Sequence, residues 1–150
     1  IDQSSIRQLS RLDSFEKRLL GDGISLAFDK PLSSEYSFDD AQCFFIYDDY
    51  LAGAIVKTIS SMNYLDKLFV QKELRGKGVG VLLLQRVIDK YPQLLWRASL
   101  ANPYISFYNE LSDRSVELDD WLVYLKGYKD DEAALTISQI IQKESDFDSL

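Results

Sequence analysis

The run Arg75-Gly76-Lys77-Gly78-Val79-Gly80 constrains this chain more than any other stretch, because of what flanks it. An apolar, strand-like segment from Tyr64 to Val70 precedes it, and an apolar, helix-like segment from Val81 to Tyr91 follows. Strand, glycine turn and helix, in that order, make an anion cradle. Glycines reach positive φ and let backbone approach a ligand, while the unpaired N–H groups of the helix's first turn and the helix dipole direct positive charge at it. The pattern predicts a phosphate-bearing cofactor. Three glycines also serve plain turns, so residues further along the chain must separate the two readings.

A chain of 150 residues that is 46% hydrophobic can bury one proper core, which predicts a single α/β or α+β domain over residues 1–150. It contains no internal repeat, no low-complexity tract and no apolar run of bilayer length, so no membrane span is expected. It opens Ile1-Asp2-Gln3-Ser4-Ser5, with neither Met nor a basic-then-apolar leader, and reads as an excised or processed piece of a longer protein. Seventeen basic residues against 24 acidic ones give a net charge of −7, which argues against a general nucleic-acid binder. A local positive spot remains. Lys67, Lys72, Arg75, Lys77, Arg86 and Lys90 bracket the glycine turn, as the site of a small polyanion requires.

Histidine is absent and Cys43 is the one cysteine, which removes disulfides, thiolate zinc sites and histidine-based triads together. The carboxylates show no metal-ligand spacing, so no metal is expected. Proton chemistry falls to Tyr, Lys, Asp, Glu or water. Cys43 lies in Cys43-Phe44-Phe45-Ile46-Tyr47 and reads as a small buried hydrophobe.

Apolar residues Ile6, Leu9, Leu12, Leu19 and Leu20 recur near helical spacing, predicting an opening helix capped by Ser4 or Ser5 and stopped at Gly21-Asp22-Gly23. Residues Ile24 to Phe28 read as a short extended segment and Pro31 to Asp40 as a loop. Cys43 to Tyr47 and Leu51 to Ile59 form a predicted hairpin about Asp48-Asp49-Tyr50, continued by Tyr64 to Val70. Leu94 to Leu100 is another strand. Asn102-Pro103 then starts a short helix through Leu111, with Pro103 in its first turn. Late strands at Ser115 to Leu118 and Trp121 to Lys126 precede a closing helix, Ala133 to Lys143.

The glycine turn resembles the acetyl-CoA signature of the GNAT N-acetyltransferases, (Arg/Gln)-x-x-Gly-x-(Gly/Ala), with Arg75, Gly78 and Gly80 at its key places. The surrounding series is more specific: Tyr64-Leu65-Asp66-Lys67, Leu95-Trp96-Arg97, Asn102-Pro103, Phe107-Tyr108 and Ser112-Asp113. It is similar to the acetyltransferase domain of the vertebrate-like and fungal N-acetylglutamate synthases, a domain that also ends bifunctional synthase/kinases. Ser14-Phe15-Glu16-Lys17-Arg18-Leu19 resembles that family's Ser-Phe-Gly-(Lys/Arg)-(Lys/Arg)-Leu segment.

The resemblance implies a mixed, mostly antiparallel central sheet flanked by helices and splayed at the acetyl-CoA site. It implies acetyl transfer from acetyl-CoA to the α-amine of L-glutamate, a step of arginine biosynthesis. Gly76, Lys77, Gly78, Val79 and Gly80 would hold the pyrophosphate through backbone amides, with Arg75 or Lys77 adding side-chain charge. Leu68, Phe69 and Val70 would pair with the pantetheine arm through main-chain groups. Tyr108 is the expected acid for the leaving thiolate, or else an aromatic packing residue beside Phe107. Asn102 either donates to a carbonyl of substrate or cofactor, or simply starts a turn. Lys17 or Arg18 and Arg97 would meet the glutamate carboxylates. Ser99 stands where the family has a second Arg, sharing a face with Arg97 by strand alternation. The general base is left open. Two alternatives stand beside glutamate: a regulatory, non-catalytic domain of an acetylglutamate kinase, and transfer to a cationic or protein amine. The family further implies an amino-acid-kinase-like neighbour or a homo-oligomer. Its bacterial members are cytoplasmic, and fungal and animal ones occupy the mitochondrial matrix.

Overall fold

The computed structural model describes residues 5–148. One seven-stranded sheet forms its frame, with strand order β1-β2-β3-β4-β5-β7-β6. Strand β1 (Ile6–Leu9) pairs antiparallel with β2 (Ala41–Tyr47), and β2, β3 (Ala52–Ile59) and β4 (Met62–Val70) follow as a meander. Strand β5 (Leu94–Ser99) lies parallel to β4, and β7 (Trp121–Lys126) inserts between β5 and β6 (Arg114–Leu118). Helices α1 (Ser14–Phe28) and α4 (Asp130–Gln142) cover one face, while α2 (Val79–Lys90) and α3 (Ile105–Leu111) cover the other.

Alternation explains how two apolar faces come from one set of strands. In β2, Phe44 and Ile46 pack with α1 residues Leu20, Ile24 and Ala27, whereas Cys43 and Phe45 pack with α2 residues Leu83, Leu84 and Val87. Cys43 is 2% exposed, the buried hydrophobe expected of it. Leu95, Val123 and Leu125 turn to α4, against Ala133, Ile137 and Ile140.

Strands β4 and β5 meet at a single register pair, Tyr64↔Leu95. Beyond it the two diverge, so Leu68–Val70 keeps its partners on β3 and offers its other edge to a gap. Just before the gap, β4 carries a bulge. Pairing steps from Val56↔Leu65 to Ile55↔Lys67, which leaves Asp66 as the extra residue and swings two charged side chains around the strand.

The opening of the chain differs from the helix its spacing predicts. Residues Ile6–Leu9 form β1, because hydrogen bonding to β2 outweighs an ambiguous three-residue repeat. Ser4 lies outside the described residues. The helix begins at Asp13, whose carboxylate accepts from Glu16 N–H (2.8 Å) while Glu16 accepts from Asp13 N–H (3.3 Å). It then runs through Gly21-Asp22-Gly23 and takes in Ile24 to Phe28. A Cβ on Gly23 would stand 2.6 Å from Tyr50 O, so this glycine admits close packing against the β2–β3 turn and does not stop the helix. The short helix after Asn102-Pro103 starts at Ile105, leaving Pro103 in the turn before it.

Candidate active site

Gly76 and Gly78 take φ of 78° and 83°, and a Cβ at either would meet nothing within 4 Å. Backbone conformation, not crowding, selects glycine there. Leu82 N–H donates the first bond of α2, to Gly78 O (3.0 Å), so the amides of Val79, Gly80 and Val81 have no acceptor within the helix. Free amides behind an open, exposed glycine turn fit a diphosphate. Gly80 sits on the end of β4, with its notional Cβ 3.5 Å from Val70 Cγ2.

The Arg75 side chain is engaged with the protein's own backbone. Its Nε donates to Val70 O (3.0 Å) and its Nη2 to Ala27 O (2.5 Å), tying the end of β4 to the last turn of α1. The guanidinium shapes the cradle wall, and the side-chain charge facing outward from the turn is left to the exposed Lys77.

Two cavities flank the gap between β4 and β5. The first, about 230 Å³, runs from Arg75 and Gly80 past Leu68, Phe69 and Val70 to Asn102 and Tyr108. The second, about 480 Å³, opens toward α4 and contains Arg97 and Ser99. Leu68, Asn102 and Tyr108 border both. The Phe69 ring itself packs under α1, consistent with a role for this segment through its backbone.

Tyr108 comes from α3 and is 6% exposed, held edge-on against Trp96 (6.0 Å) and Tyr124 (5.4 Å between ring centroids). Burial, with the neighbouring phenols of Tyr104 and Tyr124, pushes its hydroxyl above the usual tyrosine range. It therefore stays protonated at neutral and mildly alkaline pH. Asn102 Oδ1 accepts from Tyr104 N–H (2.8 Å), so the turn-starting role expected of it is present at the same place where it borders both cavities.

Arg97 and Ser99 share a face of β5 as alternation requires, and both line the larger cavity. Arg97 is already engaged: its guanidinium stacks 3.8 Å from the Trp121 ring centre and Nη1 donates to Ile140 O (2.8 Å) and Lys143 O (3.4 Å), closing the end of α4. Lys17 and Arg18 lie elsewhere. Lys17 pairs with Asp39 (2.7 Å) and Arg18 reaches over exposed Phe15 (6.0 Å), because the end of α1, not its start, borders the cavities. The larger cavity is lined instead by Lys30, Lys67 and Lys143. A charged pair, Asp66-Lys67, inside an apolar strand was a visible signal for one of these; Lys30 and Lys143 carried none.

The bulge builds an ion network beneath this cavity. Asp66, with a side chain 1% exposed, accepts from Tyr36 Oη (2.5 Å) and lies within 3.3 to 4.0 Å of Lys67, Lys143 and Lys57. Asp146 bridges Lys67 (2.5 Å) and Lys143 (2.6 Å). Burial by itself would raise Asp66, but Lys67, Lys143, Lys57 and the Tyr36 hydrogen bond hold it below the ordinary carboxylate value. Asp146 is held low in the same way, burial opposing its bonds to Lys143 and Lys67.

This arrangement of a splayed sheet, a glycine turn opening a helix and a buried tyrosine opposite defines a GNAT-type N-acetyltransferase fold. The ribosomal-protein-S18-alanine N-acetyltransferase of Escherichia coli superposes with a TM-score of 0.63 at 15% identity, over 83% of this chain and 96% of that one. The N-acetylglutamate synthase of Neisseria gonorrhoeae, solved with coenzyme A and N-acetyl-glutamate, does so with a TM-score of 0.53 at 14% identity, over 82% of this chain and 35% of that one. Both are likenesses of fold. Residues 34–146, three quarters of the chain, match the family model described as NAT, the N-acetyltransferase of N-acetylglutamate synthase, and the chain belongs to that family. Among curated proteins, an acetylglutamate kinase of Xylella fastidiosa is 29% identical over 83 residues, 55% of this chain and 20% of that protein. One from Xanthomonas campestris is 28% identical over 128 residues, 84% of this chain and 28% of that protein. The chain thus spans between a fifth and just over a quarter of the length of these curated relatives. Among the described residues, no helix is long and apolar enough to cross a membrane.

Proposed function

We propose that this domain transfers an acetyl group from acetyl-CoA to the α-amine of L-glutamate. The observation that carries the reading is the meeting of two cavities at Tyr108, one running to the glycine cradle and the other rich in cations. Four cationic side chains, Lys30, Lys67, Arg97 and Lys143, line the larger cavity against two carboxylates, Asp66 and Asp146. The excess of two positive charges matches the two carboxylates of a glutamate.

In this reading the amides at the start of α2, from Val79 to Val81, receive the diphosphate, with Gly76 and Gly78 supplying the turn and Lys77 added charge. The free edge of Leu68–Val70 accepts the pantetheine amides. Attack by a neutral amine on the thioester carbon forms the C–N bond and breaks the C–S bond. Tyr108, kept protonated by its surroundings, gives its proton to the departing thiolate, and the proton that the amine nitrogen sheds on becoming an amide passes to water, which returns one to Tyr108. Asn102 borders the place where the two substrates meet and donates to a carbonyl there. An amino-acid-kinase-like domain or a second copy of the chain would complete the assembly, as in the kinases it matches over part of their length.

One observation favours a second reading. The Arg97 guanidinium is spent on α4 and Trp121, and Ser99 supplies no charge, so the domain serves as a cofactor-binding regulatory module of a kinase if the remaining lysines do not hold glutamate. Calorimetry with acetyl-CoA, followed by a thiol-release assay with glutamate, glutamine and cationic amines, separates the readings. Release with glutamate is expected. Binding of acetyl-CoA without release on any amine overturns the catalytic reading and leaves the regulatory one.

A further inference from the structure

The stretch after α4 folds back over the larger cavity instead of leaving the fold. Ser33 N–H donates to Asp146 O (2.9 Å), Asp148 N–H donates to Pro31 O (2.9 Å), and Leu32 and Phe147 form an antiparallel bridge. The Phe147 ring meets Phe28 at 5.1 Å. Segment 143–148 is therefore a strap, pinned by two backbone bonds to the loop that follows α1. It places the Asp146 carboxylate, 20% exposed, between the ammonium groups of Lys67 and Lys143, both of which line the cavity that also contains Tyr108.

We infer that Asp146 occupies the position of an acceptor carboxylate and sets the acceptor preference of the site. The inference rests on the glutamate reading above and deepens it. Two ammonium groups converging on one carboxylate are a chelate of the kind that a dicarboxylic amino acid needs for its side chain. Among the described residues, no other side chain serves both lysines in this way except Asp66, and Asp66 is locked below them by Tyr36 and Lys57. The strap is the replaceable partner. Apart from the ion pairs of Asp146 and Lys143, the described residues hold the strap by two backbone bonds to the loop after α1, the packing of Phe147 and the Arg97 bond to Lys143 O (3.4 Å), whereas Asp66 is part of the sheet. An incoming γ-carboxylate would take over Lys67 and Lys143 and release Asp146, so apparent affinity is lowered by the competition.

The test compares the wild-type chain, Asp146→Asn and Asp146→Glu, each saturated with coenzyme A and titrated calorimetrically with L-glutamate and with L-glutamine. Asp146→Asn is expected to tighten glutamate binding about tenfold and glutamine binding hardly at all, while Asp146→Glu, which keeps the charge, shows no such gain. A general loosening of structure would move both ligands alike. In the wild-type chain, saturating glutamate is expected to speed amide hydrogen exchange at Ser33 and Asp148, whose bonds pin the strap. This second measurement needs no variant and stands even where Asp146→Asn fails to fold. Glutamate that binds and is acetylated, with unchanged affinity in Asp146→Asn and unchanged exchange, overturns the inference and leaves the glutamate reading in place. Acetyl-CoA binding with no glutamate binding in any chain overturns both.

Discussion

Tyr108 is a packing residue by its contacts and the proposed acid by its position. The sequence leaves two options for it; the ring is buried among Trp96, Tyr104 and Tyr124, and the residue also lines both cavities, where the proposed chemistry would need it. Replacing it by Phe keeps the ring and removes the proton. In a thiol-release assay, kcat is expected to fall about 100-fold or more with little change in KM for acetyl-CoA. A drop of less than threefold, about 0.7 kcal/mol, would assign Tyr108 to packing. The raised phenol also fixes the shape of the pH profile. Rate should climb as the acceptor amine loses its proton and should not turn down by about pH 10, where an unperturbed phenol is half ionised. Arg75 teaches the complementary point. A motif match places the residue at the glycine turn, where its side chain donates to Val70 O and Ala27 O.

Among the elements, α1 separates local propensity from packing. Gly21 and Gly23 both weaken a helix by about 1 kcal/mol each relative to Ala, which is why the pair reads as a stop. A Cβ at Gly21 meets only Leu32 and Phe38 side chains at 3.9 Å, so Gly21→Ala should recover up to about 1 kcal/mol of stability. At Gly23 the same methyl meets the Tyr50 backbone carbonyl at 2.6 Å. There the clash outweighs the propensity gain, and Gly23→Ala should lose about 1 to 3 kcal/mol. Urea denaturation of the two variants gives opposite signs if this account holds; a gain in both would mean that α1 does not press on the β2–β3 turn. The start of α1 was legible in principle, since Asp13 and Glu16 form a capping box three residues apart. The repeat of Ile6, Leu9 and Leu12 masked it by extending the apolar period backward into a strand.

Across the whole molecule, the buried ion network links the sheet, the loop before β2 and the strap into one pH-sensitive unit. Asp66 and Asp146 are both held below their unfolded values, so their contribution is fully present above about pH 4 and is lost as pH falls through the folded values. Urea midpoints should be level between about pH 5 and 7 and decline below about pH 4. Asp66→Asn removes the buried anion that three lysines share, leaving Asp146 alone to serve Lys67 and Lys143, and should cost about 3 kcal/mol at neutral pH while flattening the acid limb. An acid limb of unchanged steepness in that variant would place the sensitivity elsewhere. The sequence by itself determined the strand, glycine turn and helix of the cradle, the meander before it and the late strands, because those features rest on short-range periodicity and on backbone freedom that only glycine has. It did not determine which cations line the larger cavity. Lys17 and Arg18 looked the part, yet Lys30, Lys67 and Lys143 line the cavity, brought together from a helix end, a bulged strand and a returning strap. Distances between residues 30, 67 and 143 depend on how the sheet and its helices close. That closure is long-range packing, which no local pattern encodes.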